Sequence, residues 1–394
     1  MPALPAQAQT QKVLYSFAGG SDGAQPFQAG VVFDMAGNLY GVTQSGGAYN
    51  QGTVFKLTPS PDGTWTETVL YSFTGGSDGS LPQGGLATDG LVYLYGTTAF
   101  GGTNNDSCGT LFALQINEGP YFELLHTFDD VTGDGCQPES DVLYNGVGAV
   151  GTTAYGGGPR EPGTFFVYQE GDYWSWHFPG DTNWYPNGLS QFGSTYYGTA
   201  YSGGDNHEGD VFEGTKAKHF FYSSKDGFHP IGNLATQVSA DGVRIMYGAT
   251  YAGGVEGRGT VYQLKEINSE DKWAVSLVHA FSGPDGAYPW GGVVLDAAGN
   301  LYGTTTEGGA ANLGTIFELT PGPKKGWTYT LLHSFSGGAD GANPTGSLVF
   351  DDAGNLYGTT SAGGAYGQGV VYEIPNPTSL TSATQRSMPR RRLH

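Results

Sequence analysis

The chain has 394 residues, with 16 Lys and Arg against 36 Asp and Glu, and a formal net charge of −20. That balance disfavours nucleic acid and anionic membranes as partners, and no apolar run of about 18 residues offers a membrane span. Glycine occupies 68 positions, enough to place a tight turn after each of many short strands.

Residues 1–11 are polar and rich in Ala, Pro and Gln, without the apolar centre of a signal peptide, and read as an N-terminal extension. The first strand is Val13–Phe17. After it a unit recurs whose clearest copy runs from Gly291 to Pro344. Within that copy Val293–Leu295, Leu301–Thr305, Thr315–Leu319 and Tyr329–Phe335 read as strands, separated by Gly, Asp, Asn and Pro.

A second-strand glycine returns at Gly41, Gly96, Gly151, Gly198, Gly248, Gly303 and Gly358. A glycine opening the third strand returns at Gly52, Gly109, Gly163, Gly209, Gly259, Gly314 and Gly369. A period of about 50 residues with four strands per unit predicts an all-β chain, a seven-bladed β-propeller of four antiparallel strands per blade.

The repeats begin on a fourth strand and finish on a third, Val370–Ile374. The N-terminal strand is therefore expected to complete the last blade, which closes the ring and removes an open sheet edge. Residues 12–374 are expected to form one domain. Residues 375–394, ending Arg390-Arg391-Arg392, read as a polar, disordered tail with no membrane anchor.

Cys108 and Cys136 fall at the same end of the second unit, so a disulfide is reasonable, with two free thiols as the alternative. Asn105 begins an N-glycosylation sequon. Together they point to a secreted chain or one in the secretory pathway.

Gly-Asn-Leu-Tyr-Gly-Thr-Thr, a following Gly-Gly, Gly-Thr-Val-Phe and Asp-Gly-x-x-Pro resemble the GloVer tandem repeat of secreted microbial proteins across Val13–Ile374. The resemblance implies a fold and says little about activity. In size and architecture the single ring is also similar to the secreted fungal hetero-Diels–Alderase propellers of tropolone–sesquiterpenoid pathways.

Each loop leading into a first strand contains a proline: Pro26, Pro82, Pro138, Pro186, Pro230, Pro289 and Pro344. Residues shared by most copies do a common structural job. Thus Asp22, Asp78, Asp134, Asp226, Asp285 and Asp340 precede a turn glycine and are expected to accept backbone N–H bonds. His126, His279 and His333, which share a position with Tyr15 and Tyr71, read as packed fourth-strand residues.

The positions flanking the prolines differ between copies and are the ones able to discriminate a ligand. They supply Phe27, Leu81, Gln83, Gln137, Tyr185, Asn187, Ile231, Trp290 and Asn343 as candidate ligand-binding residues, with ordinary loop variation as the alternative. His229, Tyr288 and Glu139 are the candidate proton-handling, catalytic groups. In the divergent third to fifth repeats, Tyr155, Arg160, Glu161, Tyr201, His207, Glu208, Tyr251 and Arg258 suggest a sector reshaped around a ligand.

No triad, metalloprotease or phosphate-loop motif is present, and no cofactor is expected. A metal on His207, Glu208, His229 and Asp205 has no diagnostic spacing behind it.

The expected function is cofactor-independent. Apolar and aromatic partners would be held in the channel mouth for acid–base dehydration to a quinone methide and a hetero-Diels–Alder coupling, where orientation does much of the work. The alternatives are a carbohydrate-binding or polysaccharide-lyase propeller, with Arg160 and Arg258 to neutralise a uronate, and a non-catalytic protein-binding module.

Overall fold

The computed structural model describes residues 11–28, 30–103, 107–130, 133–156, 162–178, 184–203, 206–222, 225–267, 272–322 and 326–377. Among these, regular structure is all strand apart from a single 3-10 turn at Gly20–Asp22. The arrangement is propeller-like.

Each repeat is an up-and-down antiparallel meander. In the first, Val32–Phe33, Leu39–Thr43, Thr53–Pro59 and Trp65–Ser72 pair in chain order, with Gly41 opposite Phe55 and Val54 opposite Tyr71. Lys12–Ser16 pairs antiparallel with Val370–Ile374, Lys12 opposite Glu373 and Ser16 opposite Val370. The last sheet thus draws on both ends of the described chain. Five sheets have four strands and one has eight. The large one arises because Asn233, in Phe228–Val238, bridges Gly292, in Ala287–Leu295, in parallel. The sequence period suggested separate sheets here; Gly232 and Gly292 lack the Cβ atoms that would hold the two backbones apart.

Burial explains the repeat motif. Leu39–Thr43 and its equivalents Leu301–Thr305 and Leu356–Thr360 are buried on both faces, so they read as continuous runs without alternation. The glycine within each makes room for a ring on the third strand. A Cβ on Gly41, Gly96 or Gly303 would lie 2.6 Å from the rings of Phe55, Phe112 and Phe317 respectively. Hydrophobic clusters cross from repeat to repeat: Leu39 and Phe55 share one with Leu14, Phe17, Tyr357 and Val371, which ties the first repeat to the sheet built from both ends.

One backbone device joins successive repeats. Before six of the seven prolines, the N–H of the preceding residue donates to the carbonyl just before the third-strand glycine of the previous repeat. The bonds run Leu81 to Gln51 (2.9 Å), Gln137 to Cys108 (2.8 Å), His229 to Glu208 (2.8 Å), Tyr288 to Arg258 (2.8 Å), Asn343 to Leu313 (2.9 Å) and Gln25 to Gln368 (2.8 Å). The proline rings then sit on those glycines, from Pro82 against Gly52 to Pro26 against Gly369. To reach this geometry all seven pre-proline residues are left-handed, with φ from 52° at Leu81 to 59° at His229. For residues other than glycine such a conformation costs on the order of 1 kcal/mol or more.

On the outer rim five of the six turn aspartates show the expected bond, Asp134 accepting the Asp129 N–H (2.6 Å). Asp22, Asp78, Asp285 and Asp340 accept backbone N–H bonds from Ala18, Thr74, Ser282 and Ser336. They also bind the fourth-strand residue: Tyr15 and Tyr71 donate to Asp22 and Asp78 (2.9 Å each), and His126 and His279 lie 2.6 and 2.9 Å from Asp134 and Asp285. The next repeat adds a donor to the aspartate's backbone carbonyl: Tyr173 to Asp134 (3.2 Å), Tyr329 to Asp285 (2.5 Å) and Gln11 to Asp340 (2.9 Å).

Glu67 stands in the same register, paired with Leu57 as Tyr329 is with Leu319. It faces Asp22, and Glu67 Oε1 and Asp22 Oδ1 are both buried without a protein partner. Burial, then the Asp22 carboxylate, pushes the Glu67 pKa up to about 7.

Two outcomes follow from these contacts. A folded pKa above the ordinary value of about 4.3 means that Glu67 costs nothing at low pH. The penalty grows as pH rises and is complete above the folded pKa, at about 1–2 kcal/mol once solvent screening of a half-buried group is allowed for. Glu67→Gln should therefore raise the melting temperature at pH 8 and leave it unchanged near pH 4; an equal shift at both would contradict this. Gly314→Ala places a Cβ 2.5 Å from the Thr305 carbonyl oxygen and 2.6 Å from Pro344 Cδ, at φ 103°. It should cost about 2–4 kcal/mol in urea unfolding.

Candidate functional site

The innermost strands are pressed backbone to backbone at Gly84, Gly188 and Gly291, which leaves little room at the axis. What remains is a cavity of about 50 Å³ whose lining includes Glu139, Tyr185, Asn187, Ile231 and Trp290 from the proline-flanking positions. Gln28, Asp141, Thr345 and Ser347 also line it and were not singled out from the sequence. Leu81, Gln83, Gln137 and Asn343 lie outside the lining. Gln83 is buried, and Asn343 donates to the Thr306 carbonyl (2.9 Å) as a packing contact.

The floor of the cavity is a polar hub. Asp141 accepts from the Gly85 N–H (2.6 Å), from Asn233 Nδ2 (2.7 Å) and from Ser347 Oγ (3.3 Å). Asn233 Oδ1 in turn accepts the Leu189 N–H (3.0 Å). All five residues stand three positions after a repeat proline. The signal was therefore present: at that position one acid and one amide break a run of small and apolar residues. Burial pushes the Asp141 carboxyl up, opposed by its three donors, and burial also raises Glu139.

Around the mouth runs an arc of partly exposed rings. Phe27 lies 6.3 Å from Trp290, Trp290 meets Tyr251 edge-on at 5.4 Å, and Tyr251 stacks on Tyr288 at 5.0 Å. Tyr251 also approaches Tyr201 (6.0 Å), on which His229 stacks at 4.3 Å. Tyr155 donates to the Tyr185 hydroxyl (2.7 Å). His229 and Tyr288 thus belong to the arc and do not line the cavity. His229 Nδ1 lies 2.8 Å from the Tyr201 carbonyl; a carbonyl only accepts, so Nδ1 carries the proton and Nε2 lies 3.9 Å from Glu208. Tyr155, Tyr201 and Tyr251 come from the divergent repeats, and the structure brings them to this rim.

Arg258 is elsewhere, its guanidinium beside Gly283. Asn105, Arg160, Glu161 and Asp205 fall outside the described residues. Among the described residues no group of three or more His, Cys, Asp and Glu could hold a metal ion, and no helix is long and apolar enough to cross a membrane. Cys108 and Cys136 form a disulfide, Cα atoms 4.4 Å apart. It doubles the Gln137–Cys108 backbone bond that the other repeats make without it.

These features define an all-β tandem-repeat protein with a propeller-like scaffold. The chain belongs to the Gloeobacter/Verrucomicrobia repeat family, whose profile matches residues 3–212 and 185–387. A search of curated protein sequences found no match. Among solved structures, the extracellular domain of a hybrid two component system from B. thetaiotaomicron is similar, with a TM-score of 0.52 and 11% identity over 92% of this chain. This chain spans 39% of that structure's length, and at that identity the likeness concerns the fold alone. An alpha-L-arabinanase from Penicillium chrysogenum, solved with arabinobiose, aligns over 94% of this chain and 99% of its own, with 13% identity and a TM-score of 0.49.

Cys108→Ser with Cys136→Ser opens a loop with a sequence separation of 28 residues, worth about 3–4 kcal/mol in the chain-entropy account. Urea midpoints should fall accordingly while the far-ultraviolet circular dichroism stays unchanged, since the neighbouring backbone bond and the Pro138–Gly109 contact remain.

Proposed function

We propose that the chain is a secreted carbohydrate-binding propeller whose ligand lies across the aromatic arc at the axial mouth. The observation that carries this reading is the run of partly exposed rings, Phe27, Trp290, Tyr251 and Tyr288, set around a cavity that has polar groups on its floor. Ring faces suit the C–H faces of sugars, and Gln28, Glu139 and Asp141 suit their hydroxyls.

The reading takes the eight-stranded sheet as two blades. Seven blades then surround one axis in a single domain over residues 12–374, closed by Lys12–Ser16. Secretion is supported by the disulfide, since such bonds persist in oxidising compartments.

The hetero-Diels–Alder reading keeps one observation in its favour. Burial raises the Glu139 carboxyl, so that it is suited to donate a proton in a dehydration beside Trp290 and Tyr185. Against it stands the size of the cavity, about 50 Å³, where a drug-sized organic ligand usually needs about 300–1,000 Å³. Incubation with a hydroxymethyl tropolone and humulene should give the rate and stereochemistry of buffer alone; an accelerated, stereoselective adduct would restore it.

Titration calorimetry with a panel of oligosaccharides should detect binding that Trp290→Ala weakens at least about tenfold. The same variant should melt within a few degrees of the parent. A panel with no binder would remove the carbohydrate reading.

A further inference from the structure

The arc and the cavity beneath it differ in scale and in charge, and that difference bears on which sugar fits. A cavity of about 50 Å³ has room for a few waters, at roughly 10–15 Å³ of such space each. It admits a substituent of a sugar ring and excludes the ring, which must stay on the aromatic rim. Two carboxylates, Glu139 and Asp141, line this small space, and among the described residues no Lys, Arg or His does.

The walls are Tyr185, Trp290 and Ile231, two of them π faces that favour a cation and disfavour an anion. Asp141 is oriented from three different repeats, by the Gly85 N–H, Asn233 and Ser347, so its position does not depend on a ligand. The net charge of −20 adds a field that draws cations toward any such mouth.

Resting on the carbohydrate reading above, we infer that the ligand is an amino sugar with a free amine. Its ring lies on Trp290 and Tyr251, and its ammonium group enters the cavity between Glu139 and Asp141. A neutral hydroxyl would leave two enclosed carboxylates without a counter-charge, and a uronate would add a third negative group. An N-acetyl group is uncharged and would likewise supply no counter-charge. Burial raises both carboxyls, and an ammonium between them would relieve that cost of enclosure.

The test is calorimetry on the whole chain at about pH 6, where a sugar amine is cationic like an α-amino group. Three tetrasaccharides are compared: β-1,4-linked glucosamine, its fully N-acetylated form, and the neutral glucose analogue. The free-amine oligomer should bind at least about tenfold more tightly than either other, as a close charge pair would give. Glu139→Gln should cut that preference severalfold, and Trp290→Ala should weaken every oligomer that binds.

Because Asp141→Asn removes a hub acceptor and risks the fold, Glu139→Gln carries the charge test and its melting curve serves as the control. Equal binding of all three oligomers would overturn the amino-sugar inference and leave the carbohydrate reading standing. A preference unchanged in a folded Glu139→Gln would overturn it too. Binding of none would remove both.

Discussion

The structure depends on a backbone contact that costs strain to make. At each junction a pre-proline residue turns left-handed and the proline ring lies on a glycine that has no Cβ to obstruct it, and at six of them the pre-proline N–H also donates into the preceding repeat. The bond and the ring contact come from adjacent residues, so together they set both the distance and the rotation between repeats. That a bulky Tyr288 or Leu81 accepts a conformation better suited to glycine shows that the junction, and not local preference, decides the backbone there.

The same junction explains why the site lies where it does. A pre-proline residue anchored by its own N–H presents its side chain at the rim, and the residues after the proline run inward toward the axis. His229 and Tyr288 therefore reach the rim whatever their chemistry, while Asp141, Asn233 and Ser347 reach the centre. Near-equal arms would make a ring of near-equal groups. Replacing one by an acid and one by an amide turns the centre into a directed network. Asp141, with three donors from separate repeats, is both a plug and an internal brace.

The outer rim carries the complementary pattern. There the copies agree, and an Asp binding a Tyr or His is repeated with small variations in the donor that caps it. Glu67 is the departure, placing a second carboxylate where Tyr173, Tyr329 and Gln11 place donors. It lies where the N-terminal strand Lys12–Ser16 meets the first repeat, so the junction between the chain's ends differs electrostatically from the others.

Much of this was legible in the residues alone. The period, the strand order within each repeat, the pairing of Val13–Phe17 with Val370–Ile374 and the turn-binding role of the aspartates follow from local spacing, and the spacing also made the Cys108–Cys136 bond reasonable without deciding it against two free thiols. Each depends on residues close in sequence or on a unit that repeats. Leu301–Thr305 lacks an alternating pattern because both faces are covered, and Gly303 is glycine because Phe317 lies over it. Comparing copies at the positions beside each proline also found Glu139, Tyr185, Asn187, Ile231 and Trp290.

What the sequence could not specify is convergence. Asp141 meets partners 56, 92 and 206 residues away, and no local pattern encodes that encounter. It results from the accumulated rotation of many junctions, which brings equivalent positions of distant repeats to one axis. The merging of two meanders through Asn233 and Gly292, the small size of the cavity, and the placement of His229 and Tyr288 in the rim have the same origin. Each is set by how closely separate backbones approach, a distance that only the assembled tertiary structure decides.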